Sequence, residues 1–167
     1  SIKIAERIGV SGQLYLQDIS PEIICHAVKK FDSKTKKPNV HFSLANGYYL
    51  PFEDGVFDKV FHFGGLNTFG DKNRALSEMS RDVKPGGRVV VGDENMPVWL
   101  RDTEFAKVLM NSNPHYRYLI PFEEIPINAR NVSVEWIMGG VFYVIVFDKG
   151  NGTPYADLDF KIPGLRG

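Results

Sequence analysis

Between Asn46 and Glu94 the chain reads NGYYLPFEDGVFDKVFHFGGLNTFGDKNRALSEMSRDVKPGGRVVVGDE. A polar Asn46-Gly47 precedes Leu50-Pro51-Phe52, the turn Glu53-Asp54-Gly55 follows, and Phe57-Asp58 opens an apolar run. Ala75, Leu76, Met79 and Val83 then fall on one face of a helix over Asp71–Val83, with Asp71 as its cap. Lys84-Pro85-Gly86-Gly87 stops that helix and turns the chain. Arg88–Gly92 is a β-branched strand whose valine run predicts burial on both faces, as in a parallel sheet covered by helices.

The same alternation extends outward. Ile2–Ile8 has helical spacing and ends at Gly9, a C-cap. Gln13–Asp18 reads as a strand. Ser20-Pro21-Glu22 starts a helix running to about Phe31, with Ser at the cap, Pro at the first helical position and an acid in the first turn. Val40–Leu44 and Lys59–Phe63 are short strands. A helix is expected from Trp99 to about Asn111, ended by Asn113-Pro114. Val132–Met138 and Val141–Phe147, separated by Gly139-Gly140, form a hairpin. Strands alternating with helices argue for a parallel α/β sheet, and the tail from Lys149 reads as a surface segment.

Composition sets the bounds. The 167 residues suffice for one domain with a core, and the 43% hydrophobic and 24% charged content is ordinary for a globular chain. Lys+Arg and Asp+Glu both number 20, so there is no basic excess of the kind that marks a nucleic-acid binder. The cluster Lys29, Lys30, Lys34, Lys36 and Lys37 sits at a helix end, where cations are favoured and solvated. The single cysteine, Cys25, precludes an internal disulfide; between Ile23-Ile24 and an apolar continuation it reads as a small buried hydrophobe in a reducing compartment. No apolar run approaches the roughly 20 residues of a membrane span, and the expected location is cytoplasmic.

The order LPF, FD and PGG, with a helix between the last two, resembles the class I S-adenosylmethionine (SAM)-dependent methyltransferases. Within that class it is similar to the small-molecule, methyltransferase type 11 branch that includes the ubiquinone/menaquinone enzymes. The likeness is in order and spacing rather than in any one motif, and it runs from about Gly12 to Asp93. It implies a Rossmann-like, mostly parallel sheet with a terminal antiparallel hairpin. It also implies SAM as cofactor and methyl transfer to a small-molecule acceptor as the reaction.

Carried over residue by residue, the resemblance places cofactor contacts at Asp18 and Ile19, at Asn46 and Gly47, and at Phe63, Gly64 and Gly65. Asp18 ends a strand, and open α/β sheets bind ligands beyond the carboxyl ends of their strands; an acid there can accept from a ribose diol, or can simply cap the next helix. Asn46 stands where the family has an acid and keeps a carbonyl acceptor for the adenine amino group, although Asn-Gly is also an ordinary turn. The glycines let backbone approach a ligand. Asp93 and Glu94, paired acids at a strand end, are candidates for a general base or a substrate anchor, with Asn67 beside them as a polar contact; one of the acids could instead cap the following segment. Trp99, Arg101 and Tyr116 are candidates for a substrate pocket, Trp99 equally for core packing. His62 alternates with Phe61 and Phe63 on a strand and reads as a core histidine.

One departure stands out. The family's glycine-rich loop and the strand before it do not precede the helix Ile2–Ile8, and Gly9 and Gly12 follow that helix instead. Residues 1–167 are therefore expected to be one methyltransferase-like domain without its opening segment and first central strand. Weak SAM binding follows for the chain as it stands. So does a choice between direct pairing of the strands at Gln13–Asp18 and Lys59–Phe63, or association of copies through an exposed sheet edge. The alternative function is a non-catalytic Rossmann-like remnant acting in assembly with another chain. A dinucleotide-dependent oxidoreductase also wants an acid after the second strand, but gives LPF, FD and PGG no role.

Overall fold

The computed structural model describes residues 1–33 and 38–151, and the chain divides into two compact units, Ser1–Pro51 and Phe52–Gly167. Lys34, Lys36 and Lys37 and the expected surface tail beyond Asn151 lie outside the described residues.

In the first unit α1 (Ile2–Ile8) ends at Gly9, whose φ of 72° suits glycine and whose N–H bonds the Ala5 carbonyl. The strands β1 (Gln13–Asp18) and β2 (Asn39–Leu44) run parallel in register from Gln13↔Asn39 to Asp18↔Leu44. Between them α2 (Pro21–Asp32) starts at Ser20, whose hydroxyl accepts from Ile23 N at 3.3 Å. Its inward face is Ile24, Ala27, Val28 and Phe31, an i, i+3, i+4, i+7 stripe, with Phe31 fully buried. Cys25 lies one step off that stripe and is exposed, which corrects the expectation of a buried thiol.

The second unit holds β3 (Phe57–Phe63), α3 (Lys72–Asp82), β4 (Val83–Glu94), α4 (Glu104–Ser112), β5 (Ala129–Ile137) and β6 (Phe142–Lys149). Its sheet has the order β3-β4-β6-β5, parallel at β3/β4 and antiparallel at β4/β6 and β5/β6. The hairpin closes through Met138–Gly140, where Gly139 and Gly140 take φ of 75° and 92°. One face of the sheet carries Val89, Val91, Tyr143, Ile145 and Phe147, all fully buried, and the apolar stripe of α3 (Ala75, Leu76, Met79) is buried with them. The opposite face carries Phe61 and Phe63, which stay 55% and 41% exposed, and Val90, which is half-buried. The valine run of β4 is thus fully buried on one face only.

Two boundaries and one strand pairing bear on expectation. The strand reaches back to Val83 because Phe57 pairs with Val83 before a register shift lets Lys59 meet Arg88, so Lys84–Gly87 is absorbed as an irregularity. The helix expected from Trp99 begins at Glu104: Val98–Leu100 forms a short 3-10 turn after Pro97, and the Thr103 hydroxyl caps α4 by accepting from Ala106 N at 3.2 Å. The strands β1 and β3 belong to different sheets, so direct pairing between them does not occur.

Arg81, at the end of α3, ties down the turn that carries LPF. Its guanidinium donates to the Phe52 carbonyl at 2.7 Å, to Asp54 at 2.8 Å and to Glu78 at 3.1 Å. It also lies 2.7 Å from an oxygen of Asp82, which is fully buried and accepts no hydrogen bond among the described residues. Burial pushes the Asp82 carboxyl up to about 6, against the pull of Arg81.

Candidate functional site

The site residues of the second unit gather at the carboxyl ends of β3 and β4, where parallel strands present their ligands. β3 ends at Phe63, and Gly64 N bonds the Gly92 carbonyl at 2.9 Å, so the chain leaves the sheet locked to its neighbour. Gly64 and Gly65 take φ of 80° and 93°, and a Cβ built on either meets nothing within 4 Å. This is open backbone in a conformation that glycine favours. The short turn Leu66–Thr68 follows, with Leu66 and Asn67 buried.

Asp93 anchors this arrangement. It is fully buried, and its two carboxylate oxygens accept from Asn67 N at 2.6 Å and from Glu94 N at 2.9 Å. Asn67 in turn donates its amide to the Glu94 carbonyl at 2.7 Å, while its own carbonyl oxygen is buried without a partner. The carboxyl of the half-buried Glu94 is raised, first by its hydrogen bond to Asp93 and then by burial, because the protonated acid can donate to the carboxylate beside it. Tyr143, the cross-strand partner of Asp93, is fully buried with an unpartnered hydroxyl, and burial raises its pKa. Close packing leaves no room on the sheet here: a Cβ at Gly92 would lie 2.6 Å from the Tyr143 carbonyl and 2.8 Å from the Phe63 ring.

A segment that the sequence marks as a helix stop, with Tyr116 as a pocket candidate, crosses the end of β4. The turn Pro114–Arg117 is stitched to it by Met96 N to the Tyr116 carbonyl at 2.8 Å and by the Asn95 amide to the Tyr118 carbonyl at 2.6 Å. His115 is half-buried there, edge-on to Tyr118 at 5.8 Å. No local motif marks it; only the tertiary hydrogen bonds bring it in. Of the pocket candidates, Arg101 donates to the Met96 carbonyl at 2.8 Å, and Tyr116 packs on the cluster of Met96, Ala106 and Met110. Trp99 is 66% exposed and edge-on to Trp136 at 4.8 Å, so it is not a core residue. His62 is half-buried with its ring 5.5 Å from Phe69.

In the first unit, Asp18 and Ile19 follow β1, and Asn46-Gly47 follows β2. One oxygen of Asp18 accepts from Ser20 N at 2.9 Å, and the other takes no hydrogen bond among the described residues. Ile19 is 68% exposed. The Asn46 side-chain carbonyl oxygen accepts from Tyr48 N at 3.0 Å, which forms an Asx turn, and the amide nitrogen takes no hydrogen bond among the described residues. Among the described residues, no group of His, Cys, Asp and Glu could hold a metal ion.

Strand ends carrying open glycines and a buried acid, on an α/β sheet closed by an antiparallel hairpin, define the Rossmann-like methyltransferase class. Solved structures share the fold. A SAM-dependent methyltransferase from Methanosarcina mazei superposes with a TM-score of 0.65 at 17% identity, covering 89% of this chain and 86% of that one. Phosphoethanolamine N-methyltransferase 2 of Haemonchus contortus, solved with S-adenosyl-L-methionine, gives 0.62 at 14% identity, covering 82% and 43%. The model of the ubiE/COQ5 methyltransferase family matches residues 1–121, and the chain belongs to that family. Ubiquinone/menaquinone biosynthesis C-methyltransferase UbiE of Haemophilus ducreyi is 34% identical over 150 residues, 83% of this chain and 57% of that protein. The same enzyme of Pasteurella multocida is 31% identical over 129 residues, 70% and 48% respectively. The chain spans about half the length of the curated relatives it matches.

Proposed function

We propose that this chain is a methyltransferase-like domain of an enzyme that moves a methyl group from SAM to a small-molecule acceptor. The observation that carries the reading is the Asp93–Glu94–Asn67 cluster beside the open Gly64-Gly65 backbone at the carboxyl ends of β3 and β4. Family membership supports it.

Residues of each unit, taken by itself, suit a part of the cofactor. Asp18 keeps one carboxylate oxygen for a ribose hydroxyl, with Ile19 beside it, and Asn46 keeps its amide nitrogen for an adenine ring nitrogen, with Gly47 next in line. Phe63, Gly64 and Gly65 offer uncrowded backbone to the methionine part. When bound, SAM supplies a methyl on a sulfonium, and the thioether it becomes is neutral. The protein's task is then to position the acceptor and take its proton. Glu94 is the group for the second task, because a carboxyl raised toward neutrality is a stronger base. Asp93 holds Glu94 and Asn67 in place, and the Asn67 side-chain carbonyl, buried without a partner among the described residues, is free to accept from a donor group of the acceptor.

The relatives are named as C-methyltransferases of ubiquinone/menaquinone biosynthesis, which favours a ring carbon of a reduced quinone precursor. There a ring C–H is replaced by C–CH3, and one proton is released to Glu94. No helix among the described residues is long and apolar enough to cross a membrane. The exposed thiol of Cys25 accords with a reducing, cytoplasmic setting. β1 and β3 each carry one neighbour strand in their sheets, and association of copies through such an edge is part of this reading.

The test uses the intact protein with methyl-labelled SAM and a soluble hydroquinone bearing an open ring position. Glu94→Gln is expected to keep SAM affinity by calorimetry and to lose at least about a hundredfold in turnover, the scale of general base catalysis. Full turnover in Glu94→Gln would remove Glu94 as the base. Absence of any SAM binding by the intact wild type would favour the alternative, a non-catalytic module of an assembly.

A further inference from the structure

Glu94 is the last residue of β4, and the residue after it is buried and bonded on three sides. Asn95 N donates to the Val141 carbonyl at 3.1 Å, the Asn95 amide donates to the Tyr118 carbonyl at 2.6 Å, and its side-chain oxygen accepts the indole N–H of Trp136 at 3.3 Å. The three partners belong to three segments: Val141 leads into β6, Tyr118 follows the turn Pro114–Arg117, and Trp136 lies on β5. Glu94 is held by its own backbone as well. Its N–H is given to Asp93 at 2.9 Å, and its carbonyl is taken by the Asn67 amide at 2.7 Å.

The chemistry at Asn95 suits an amide. A backbone carbonyl can only accept and an indole N–H can only donate, so the group between them must give on one side and take on the other. Aspartate would set a carboxylate oxygen against the Tyr118 carbonyl, and leucine would leave a buried donor and a buried acceptor unpaired. The two partners also fix which end of the amide is oxygen, because the flipped amide would set N–H against N–H and oxygen against oxygen. The Trp136 ring is itself braced, edge-on to Trp99 at 4.8 Å.

We propose that Asn95 is a positioning residue for the acceptor half of the reaction: it acts through Glu94, and fixes where that carboxyl meets the acceptor's proton. This rests on Glu94 as the base. Asn95 itself exchanges no proton. The peptide unit joining Glu94 to Asn95 is bonded at both its polar atoms, to Asn67 and to Val141, and the Asn95 side chain stops the strand exit from swinging. Glu94 is left with little backbone freedom, and its half-buried carboxyl turns mainly about side-chain torsions. A general base displaced by about 1 Å loses on the order of a hundredfold, because proton transfer needs hydrogen-bond reach. A buried polar network with every member partnered specifies one arrangement, and this one lies directly against the residue whose place matters.

The experiment is a double-mutant cycle in the intact protein, with methyl-labelled SAM and the soluble hydroquinone. Asn95→Ala is expected to lower kcat about tenfold, and to leave KM for the hydroquinone and the SAM affinity within about twofold of wild type. In the Glu94→Gln background the same change is expected to cost less than about twofold, because there is no base left to position. A merely structural Asn95 lowers turnover by the same factor in both backgrounds, or raises KM, and either result overturns the proposal. Full turnover in Asn95→Ala overturns it too. Should Asn95→Ala fail to fold, Trp136→Phe decides, since it keeps a ring on β5 and drops the N–H. It is expected to lose about threefold in kcat, again only with Glu94 in place; full turnover, or an equal loss in the Glu94→Gln background, overturns the proposal. An inactive Glu94→Gln beside a fully active Asn95→Ala sinks only the positioning role. Full turnover in Glu94→Gln removes the base reading and the proposal with it.

Discussion

Replacing Asp93 by Asn is the sharpest probe of the site's construction. The carboxylate accepts one buried N–H on each oxygen, Asn67 N at 2.6 Å and Glu94 N at 2.9 Å. An asparagine of the same shape offers one acceptor and one donor group, so one of the two N–H groups must face an amide NH2. The lost charge-assisted bond is worth roughly 1.5–3 kcal/mol, and the orphaned buried N–H costs on the order of 1–3 kcal/mol, part of it the same loss counted twice. We therefore expect Asp93→Asn to lose about 2–4 kcal/mol, read as a lower urea midpoint at constant m-value. A second consequence follows at Glu94. Its carboxyl is raised chiefly because Asp93 accepts its proton, so Asp93→Asn should let Glu94 titrate nearer its ordinary value. Stability within about 0.5 kcal/mol of wild type, or an unchanged Glu94 titration, would show that Asp93 does not hold these groups, and the geometric argument for the site would fail.

Three further outcomes are expected. Asp82 binds its proton more tightly folded than unfolded, so its contribution is greatest below about pH 4 and is lost as pH rises through about 6; the rise is worth about 3 kcal/mol. Denaturant melts from pH 4 to 7 should show Asp82→Asn with a correspondingly flatter pH dependence than wild type, and parallel curves would contradict the assignment. Gly92→Ala should destabilise by about 1–3 kcal/mol, because its Cβ would meet the Tyr143 carbonyl and the Phe63 ring; a melting temperature equal to wild type would mean that the strands yield freely. Asp18→Ala in the intact protein should weaken SAM binding by about 1.5–3 kcal/mol by calorimetry, and unchanged affinity would rule out the ribose contact.

Local chemistry was enough to read the elements. Ser20, Asp71 and Gly9 cap their helices as their side chains, or lack of one, require. The 3.6-residue stripe of α3 and the Gly139-Gly140 turn lie where the pattern put them, because caps and periodicities act over a few residues. The order of LPF, FD and PGG carried the family, since the likeness lies in their order and spacing along the chain. What required the tertiary structure were the facts that depend on neighbours distant in sequence. Cys25 faces outward because α2 has one covered side. Trp99 falls before the helix because Thr103 outcompetes it as a start. Asp93 is a clamp rather than a free acid because Asn67, 26 residues away, brings its N–H to it. The turn Pro114–Arg117 is tied to the end of β4 through the hydrogen bonds of Met96 N and the Asn95 amide to the Tyr116 and Tyr118 carbonyls, which no periodicity announces. Sequence alone determines which groups are present and which elements bear them; a carboxyl's role is decided by what the fold packs against it, because burial and partners, rather than residue type, set whether it holds a proton, a backbone N–H or a substrate.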